Sequence, residues 1–277
     1  MAKFEKVVNL SLAIAVPPER VWRALTTPRE LGRLILGWVE MEAKPGREFQ
    51  WRWTVWQDSA PRKGDFAWHG RVLDVVPGST LVLGGNEVVV FTVKGEGGAT
   101  LVTVSQGGGD PGTRIEEYRH GWEDFLIKLK TALETETARD ELLLRTLVRA
   151  KSDALYRAWL TASTMSKLLP GQCKITGRQG ERFEWQWKLP PWRGRRAGGV
   201  FLELEKGKRI SFTWEATGFP TEVALGFQPV ADGTLLSLHH TGFGGRERLR
   251  QEHLALWSRL LERARCYFYF GKKIRTK

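Results

Sequence analysis

The 277-residue sequence predicts an α+β protein of two tandem domains, each a curved antiparallel sheet wrapped on a long C-terminal helix. Three observations lead there. Within Tyr118–Glu134, Trp122, Phe125, Leu126, Leu129 and Leu133 fall on one face at helical spacing, with Glu123, Asp124, Lys128 and Lys130 opposite. Near the end of the chain, Leu254, Trp257, Leu261, Ala264 and Phe268 repeat that stripe. Landmarks between the two also recur. Trp22-Arg23-Ala24 and Tyr156-Arg157-Ala158 are 134 residues apart, as are Phe49, Trp51, Trp53 and Phe183, Trp185, Trp187, and Thr100-Leu101 and Thr234-Leu235. Gly78 and Gly207 are 129 apart and Trp122 and Trp257 are 135 apart, so the copies differ by small gaps. A nearly constant offset in several places marks a tandem duplication. The expected domains are residues 1–137 and 138–277, joined by an acidic segment at Thr135–Glu141.

In the first copy, residues 5–15 alternate, with Asn9 and Ser11 set between Leu10, Leu12 and Ile14, as on a half-buried strand. Pro17-Pro18 ends it, and Glu19–Leu25 reads as a short helix. Thr27-Pro28-Arg29-Glu30 has the form of a capping box with proline at the first helical position, opening a second short helix. Residues 47–56 read as a strand with Phe49, Trp51, Trp53 and Val55 on one side. Gly70–Asp74 and Thr80–Leu83 are strands around Pro77-Gly78, and Val88–Val93 and Thr100–Ser105 form a hairpin across Gly95–Gly98. The closing helix has one apolar stripe and so must lie on the sheet, which is the helix-grip arrangement. The second copy repeats the order.

Composition is ordinary for a globular chain, 42% hydrophobic and 27% charged, with thirteen tryptophans. Cys173 and Cys266 allow at most one bridge, which fits a reducing compartment and a cytoplasmic location. Residues 1–15 loosely resemble a signal peptide. Their alternation, and the similar LLLRTLVRA at 142–150, argue for a strand instead. No apolar run reaches the roughly 20 residues of a membrane span. The net charge of +12 is uneven: residues 1–137 carry −1 and residues 138–277 carry +13. Basic clusters lie at Lys188–Arg196 (with Arg193, Arg195 and Arg196), at Arg246, Arg248 and Arg250, at Arg259 and Arg263, and at Lys272–Lys277. Aromatics lie among them, a pattern that suits single-stranded nucleic acid or an anionic surface, although no nucleic-acid motif accompanies it.

Chemistry-bearing motifs are sparse. There is no metal-ligand spacing, nucleophile elbow or phosphate loop, so neither a metal nor a cofactor is expected. Gly107, Gly109 and Gly112 spell G-x-G-x-x-G but follow an antiparallel hairpin rather than opening a βαβ unit, and read as a loop. His239 and His240 are adjacent on a strand and point to opposite faces. His240 shares its face with Leu236 and Leu238, and reads as a satisfied core histidine or as a polar anchor in a pocket. Glu116-Glu117 and Glu123-Asp124 read as a solvated face. The candidate ligand-cavity residues are Trp51, Trp53, Trp122, Phe125 and Leu129 in the first copy and Trp185, Trp187, His240, Trp257 and Leu261 in the second. The anion candidates are Arg193, Arg195, Arg196, Arg259 and Arg263.

PPERVWRALTTPREL at 17–31, GRVLDVVPGSTLVL at 70–83, GWEDFLIKLKTALE at 121–134 and GTLLSLHHTGF at 233–243 resemble the START-like (SRPBCC) superfamily, in its branch named for homologues of the heat-shock-protein ATPase activator. The resemblance implies a cavity between sheet and long helix that holds an apolar ligand, and by its name a chaperone ATPase as partner. The expectation is a non-catalytic protein binding an apolar or amphipathic small molecule, or a protein partner, in a cavity of roughly 300–1,000 Å³. The alternatives are a cyclase- or hydrolase-type enzyme using that cavity, and an anion-binding module in the second copy.

Overall fold

The computed structural model describes residues 6–59, 66–108, 115–188 and 193–271. The chain separates into two compact units that meet in sequence between Glu136 and Thr137. The first contains β1 (Lys6–Ile14), α1 (Pro18–Thr26), α2 (Pro28–Leu34), β2 (Trp38–Met41), β3 (Glu48–Arg52), α3 (Thr54–Ser59), β4 (Ala67–Val76), β5 (Thr80–Gly84), β6 (Glu87–Glu96), β7 (Ala99–Gly108) and α4 (Ile115–Glu134). Its seven strands form one antiparallel sheet in the order β1-β7-β6-β5-β4-β3-β2. The second contains β8 (Glu141–Val148), α5 (Ser152–Trp159), α6 (Ala162–Leu168), β9 (Gly171–Lys174), β10 (Arg182–Trp187), β11 (Arg196–Glu205), β12 (Arg209–Trp214), β13 (Thr221–Val230), β14 (Gly233–Thr241) and α7 (Glu247–Tyr269). Its seven-stranded sheet has the same order, β8-β14-β13-β12-β11-β10-β9.

The duplication extends to individual hydrogen bonds. The Thr100 hydroxyl donates to the carbonyl of Val16 (2.5 Å), and the Thr234 hydroxyl to that of Ala150 (2.6 Å), both pairs 134 apart. A side chain on Gly37 would run into the carbonyl of Arg52, and one on Gly171 into that of Gln186, again 134 apart. In each unit that glycine lets the strand entering the sheet edge lie against its neighbour. The β6–β7 hairpin turns on Gly97 and Gly98, both at positive φ, the geometry a two-residue turn requires.

Local departures from the expected elements have physical causes. Strand β3 stops at Arg52. The Trp53 amide makes one more bond in register with β4, to the carbonyl of Phe66, then the Thr54 hydroxyl donates to the carbonyl of Leu36 and the chain turns into α3. Adjacent Val55 and Trp56 are both buried there, which a half-buried strand does not allow. Thr27 does cap α2 by backbone position, but its hydroxyl makes no capping bond; Glu30 instead pairs with Arg20 (2.7 Å) and Arg23 (3.3 Å). Asp124 is not on a solvated face: it is buried and pairs with Lys128 one turn on (2.8 Å).

Each core lies between the concave sheet face and its long helix. In the first unit Phe49, Trp51, Val72, Leu81, Leu83, Phe91, Val102 and Val104 meet Phe125, Leu126, Leu129 and Leu133. In the second, Phe183, Trp185, Trp187, Phe212, Trp214, Leu236 and Leu238 meet Leu256, Trp257, Leu260, Leu261 and Ala264. Among the described residues, no helix is long and apolar enough to cross a membrane.

Candidate functional site

At one end of each sheet–helix layer the aromatic side chains meet a set of polar groups, and the two units arrange that end differently. In the second unit it is closed. The Trp257 indole N–H donates to Nδ1 of His240 (3.0 Å), which fixes the proton of that imidazole on Nε2; Nε2–H donates to Oγ1 of Thr221 (3.0 Å), and the Thr221 hydroxyl donates to the carbonyl of Trp214 (2.9 Å). The Trp214 indole N–H donates to Nε2 of His253 (3.0 Å), whose Nδ1–H donates to the carbonyl of Leu249 (2.9 Å). An indole can only donate and a carbonyl can only accept, so both histidines are held as single neutral tautomers. Burial, then the neighbouring His253 and His239, push His240 down to about 3. Burial likewise lowers His253, against its bond to Leu249. His240 is a satisfied core histidine with no lone pair left for a ligand or a metal. His239 faces the other way and pairs with Glu141 (2.6 Å).

The first unit keeps the frame and changes the groups. Trp122 occupies the place of Trp257 and donates to Oε1 of Gln106 (2.5 Å), which stands where His240 does on the last strand. Tyr118, at the place of His253, donates to Oε1 of Glu87 (2.8 Å), which stands where Thr221 does. The large indole moves to another strand. The second unit has Ala197 on β11 and Trp214 on β12; the first has Trp68 and Gly85 at the corresponding positions, 129 residues earlier. Both indoles serve the same cluster, edge-on to an equivalent tryptophan: Trp68 to Trp51 and Trp214 to Trp185, each at 5.3 Å between ring centroids. Trp68 lies over Gly85, whose Cβ, if present, would be 3.2 Å from the Trp68 Nε1.

The exchange leaves the first unit more open. Trp53, Trp68 and Trp122 are only half-buried, whereas Trp187 and Trp257 are 6% and 0% exposed. Trp51, Phe125 and Leu129 lie deeper: Trp51 stacks on Phe91 (6.3 Å) and Phe125 (6.5 Å), a closely packed layer beneath the open edge. In the second unit Trp185 and Leu261 are buried within the core. Trp68, Glu87, Gln106 and Tyr118 were not legible as site residues. The signal that could have found Trp68 is the reciprocal size change at the shifted 129-residue offset; Glu87, Gln106 and Tyr118 align with Thr221, His240 and His253 at offsets of 134, 134 and 135.

Among the described residues, no group of three or more His, Cys, Asp or Glu side chains is placed to hold a metal ion. Burial pushes the Cys173 thiol up to about 11, so it is neutral and unreactive near pH 7.

The family model described as Activator of Hsp90 ATPase homolog 1-like protein matches the chain twice, at residues 15–134 and 149–267. The chain belongs to this family. The two matches fall one in each unit, so this member carries the family's domain in tandem. No curated protein matches the chain. Similar solved structures include DynU16, of the dynemicin biosynthetic locus (22% identical, 93% of this chain and 97% of that one, TM-score 0.41). Another is the di-domain ARO/CYC StfQ from the steffimycin biosynthetic pathway (14%, 95% and 98%, TM-score 0.40). A third is the Aha1 dimer from Colwellia psychrerythraea (15%, 48% and 98%, TM-score 0.43).

The anion candidates divide. Arg193, Arg195, Arg196 and Arg259 are exposed, and Arg195 and Arg248 flank Glu252 at 3.9 and 3.4 Å. Arg263 holds the fold together instead, since its Nε and Nη2 donate to the carbonyls of Leu168 and Lys167 at the end of α6 (2.7 and 3.2 Å). Trp192 and Lys272–Lys277 lie outside the described residues.

Proposed function

We propose that this protein binds an apolar or amphipathic small molecule in its first domain, between the sheet and α4, without chemically changing it, and that the second domain is a closed structural copy. One observation supports this above the others: the equivalent tryptophans differ in exposure, with Trp53 and Trp122 half-buried while Trp187 and Trp257 are sealed. An open aromatic edge with a few polar groups is the usual composition of a ligand site. A catalytic reading needs a group that exchanges protons at the site. The last strand supplies Gln106 there, an amide that does not titrate, the nearby Glu87 carboxyl is engaged by the Tyr118 hydroxyl, and the histidine that stands in the place of Gln106 in the second domain is held neutral by its hydrogen bonds with Trp257 and Thr221. The family description names an Hsp90 ATPase activator, and a chaperone ATPase is a partner that description suggests.

The test is a panel of fatty acids and polycyclic aromatics, read by native mass spectrometry on the full chain. Binding of one equivalent, recovered unchanged and weakened by Trp53→Ala but not by Trp187→Phe, is the expected result. A product whose formation is lost on changing one residue of the open edge would replace this reading with the enzymatic one. Absence of any retained ligand would end it.

A further inference from the structure

The two domains place an indole in the same space from different strands, and the two indoles differ in what their N–H meets. Trp214 closes the second domain and donates to His253 on the long helix. Trp68, which takes over that space in the first domain, has a buried Nε1 with no acceptor among the described residues. The group at the place of His253 is engaged elsewhere: Tyr118 donates its hydroxyl to Glu87. A buried donor without an acceptor costs about 1–3 kcal/mol, so such a group needs a reason.

A second orphan sharpens the assignment. Nε1 of Trp51 is also buried and without an acceptor among the described residues, and so is Nε1 of its equivalent Trp185. Because that feature occurs in the closed domain too, it belongs to the shared packing of the fold. The Trp68 donor has no counterpart, since Ala197 stands in its place. It occurs only in the domain whose aromatic edge is open. Trp68 is also half-buried, 6.5 Å between centroids from half-buried Trp122, so its ring belongs to that edge.

We propose that the first domain selects apolar ring compounds that carry a neutral carbonyl oxygen, and that the indole N–H of Trp68 is the specificity-determining donor to that oxygen. This rests on the small-molecule reading above and names the chemistry of its ligand. The ring system suits the half-buried indoles of Trp53 and Trp122 beside Trp68. The acceptor is an uncharged oxygen because a carboxylate, Glu87, already stands at this end of the layer, held there by Tyr118. An anionic ligand would meet like charge.

The experiment uses the full chain with ¹⁵N-labelled indoles and two probes of one shape, fluorene and 9-fluorenone, which differ by a carbonyl. Both should bind, 9-fluorenone about tenfold more tightly, the scale of one well-made hydrogen bond. The ketone alone should move the Trp68 indole cross-peak downfield and leave that of Trp185 in place. Trp68→Phe, which keeps a ring and removes the donor, should bring 9-fluorenone down to the affinity of fluorene while fluorene binding holds. Equal binding of the two probes by the unmodified protein, or a preference that survives Trp68→Phe, would overturn the donor assignment and leave the small-molecule reading intact. Binding of neither probe would overturn both. Should Trp68→Phe bind nothing because it fails to fold, the cross-peak shift and the preference of the unmodified protein decide by themselves.

Discussion

Replacing His240 with glutamine should remove most of one acid-sensitive contribution to the second domain. In the folded domain the imidazole is neutral to about pH 3, against 6.5 for the free side chain, because it is buried and feels the charge of nearby His253 and His239; Glu252 and Arg195 act in turn on His253. Between those values the unfolded chain holds a proton that the folded one does not. A depressed value therefore stabilises the fold fully above about pH 6.5, and that contribution is lost as pH falls toward 3. The loss is about 1.4 kcal/mol per pH unit, so at pH 4.5 it reaches about 2.7 kcal/mol, and near pH 3 its ceiling is about 5 kcal/mol. Glutamine is the residue that already accepts from Trp122 in the first domain. Its amide can accept from Trp257 and donate to Thr221 without titrating. His240→Gln should thus lie within about 1.5 kcal/mol of the unmodified protein at pH 7.5 and gain on it by about 2–3 kcal/mol by pH 4.5. Urea unfolding at several pH values, followed by hydrogen exchange of β14, reports on the second domain, and the difference between the two proteins cancels the other titrating groups. If both proteins lose stability in parallel on acidification, the neutral, doubly bonded His240 is wrong.

Trp257→Ala should cost about 3–5 kcal/mol because that indole is fully buried, and Trp122→Ala about 1–3 kcal/mol because its counterpart is half-buried; calorimetry of the two single variants checks the order. Thr100→Val and Thr234→Val each remove the same hydrogen bond from equivalent places, and each should lower stability by about 1 kcal/mol in its own domain, readable as matching losses of amide protection. Arg263→Ala should lower stability by about 1 kcal/mol, through the freed carbonyls of Lys167 and Leu168, without changing polyanion binding. Arg195→Ala with Arg259→Ala should instead weaken binding to single-stranded nucleic acid at low salt, and that binding should largely vanish near about 0.15 M salt; affinity that persists there would make the basic surface a site in its own right.

The duplication and the helix-grip order were legible because they rest on large aromatic residues whose spacing survives divergence: Trp22 and Tyr156, Phe49 and Phe183, Trp122 and Trp257. Strands β2 and β9, four residues each at the sheet edge, were not, since a strand that short leaves little periodicity to read. Helix α3 was hidden by Trp53 and Val55, which continue the alternation of Phe49 and Trp51 beyond the point where the chain turns at Thr54. The site was harder still. Trp51, Trp122 and Trp257 announce themselves by size, but which indole is sealed depends on Trp68 and Trp214, two residues from different strands that share no offset. Whether His240 was an anchor or a satisfied core residue turned on Trp257 and Thr221, both distant in sequence.

The exchange of Trp68 and Gly85 for Ala197 and Trp214 also constrains how two copies of one ancestral unit could have diverged. Single substitutions connect the two arrangements by only two routes. One passes through a unit with both tryptophans, where two indoles claim one space and a side chain at position 85 runs against the carbonyl of His69. The other passes through a unit with alanine and glycine, leaving a hole the size of an indole at a cost of about 3–5 kcal/mol. That second intermediate folds only with stability in reserve, or with something filling the hole. A bound apolar molecule would fill it, so a copy that took this route would have passed, between its two indole arrangements, through a state with room for a ligand.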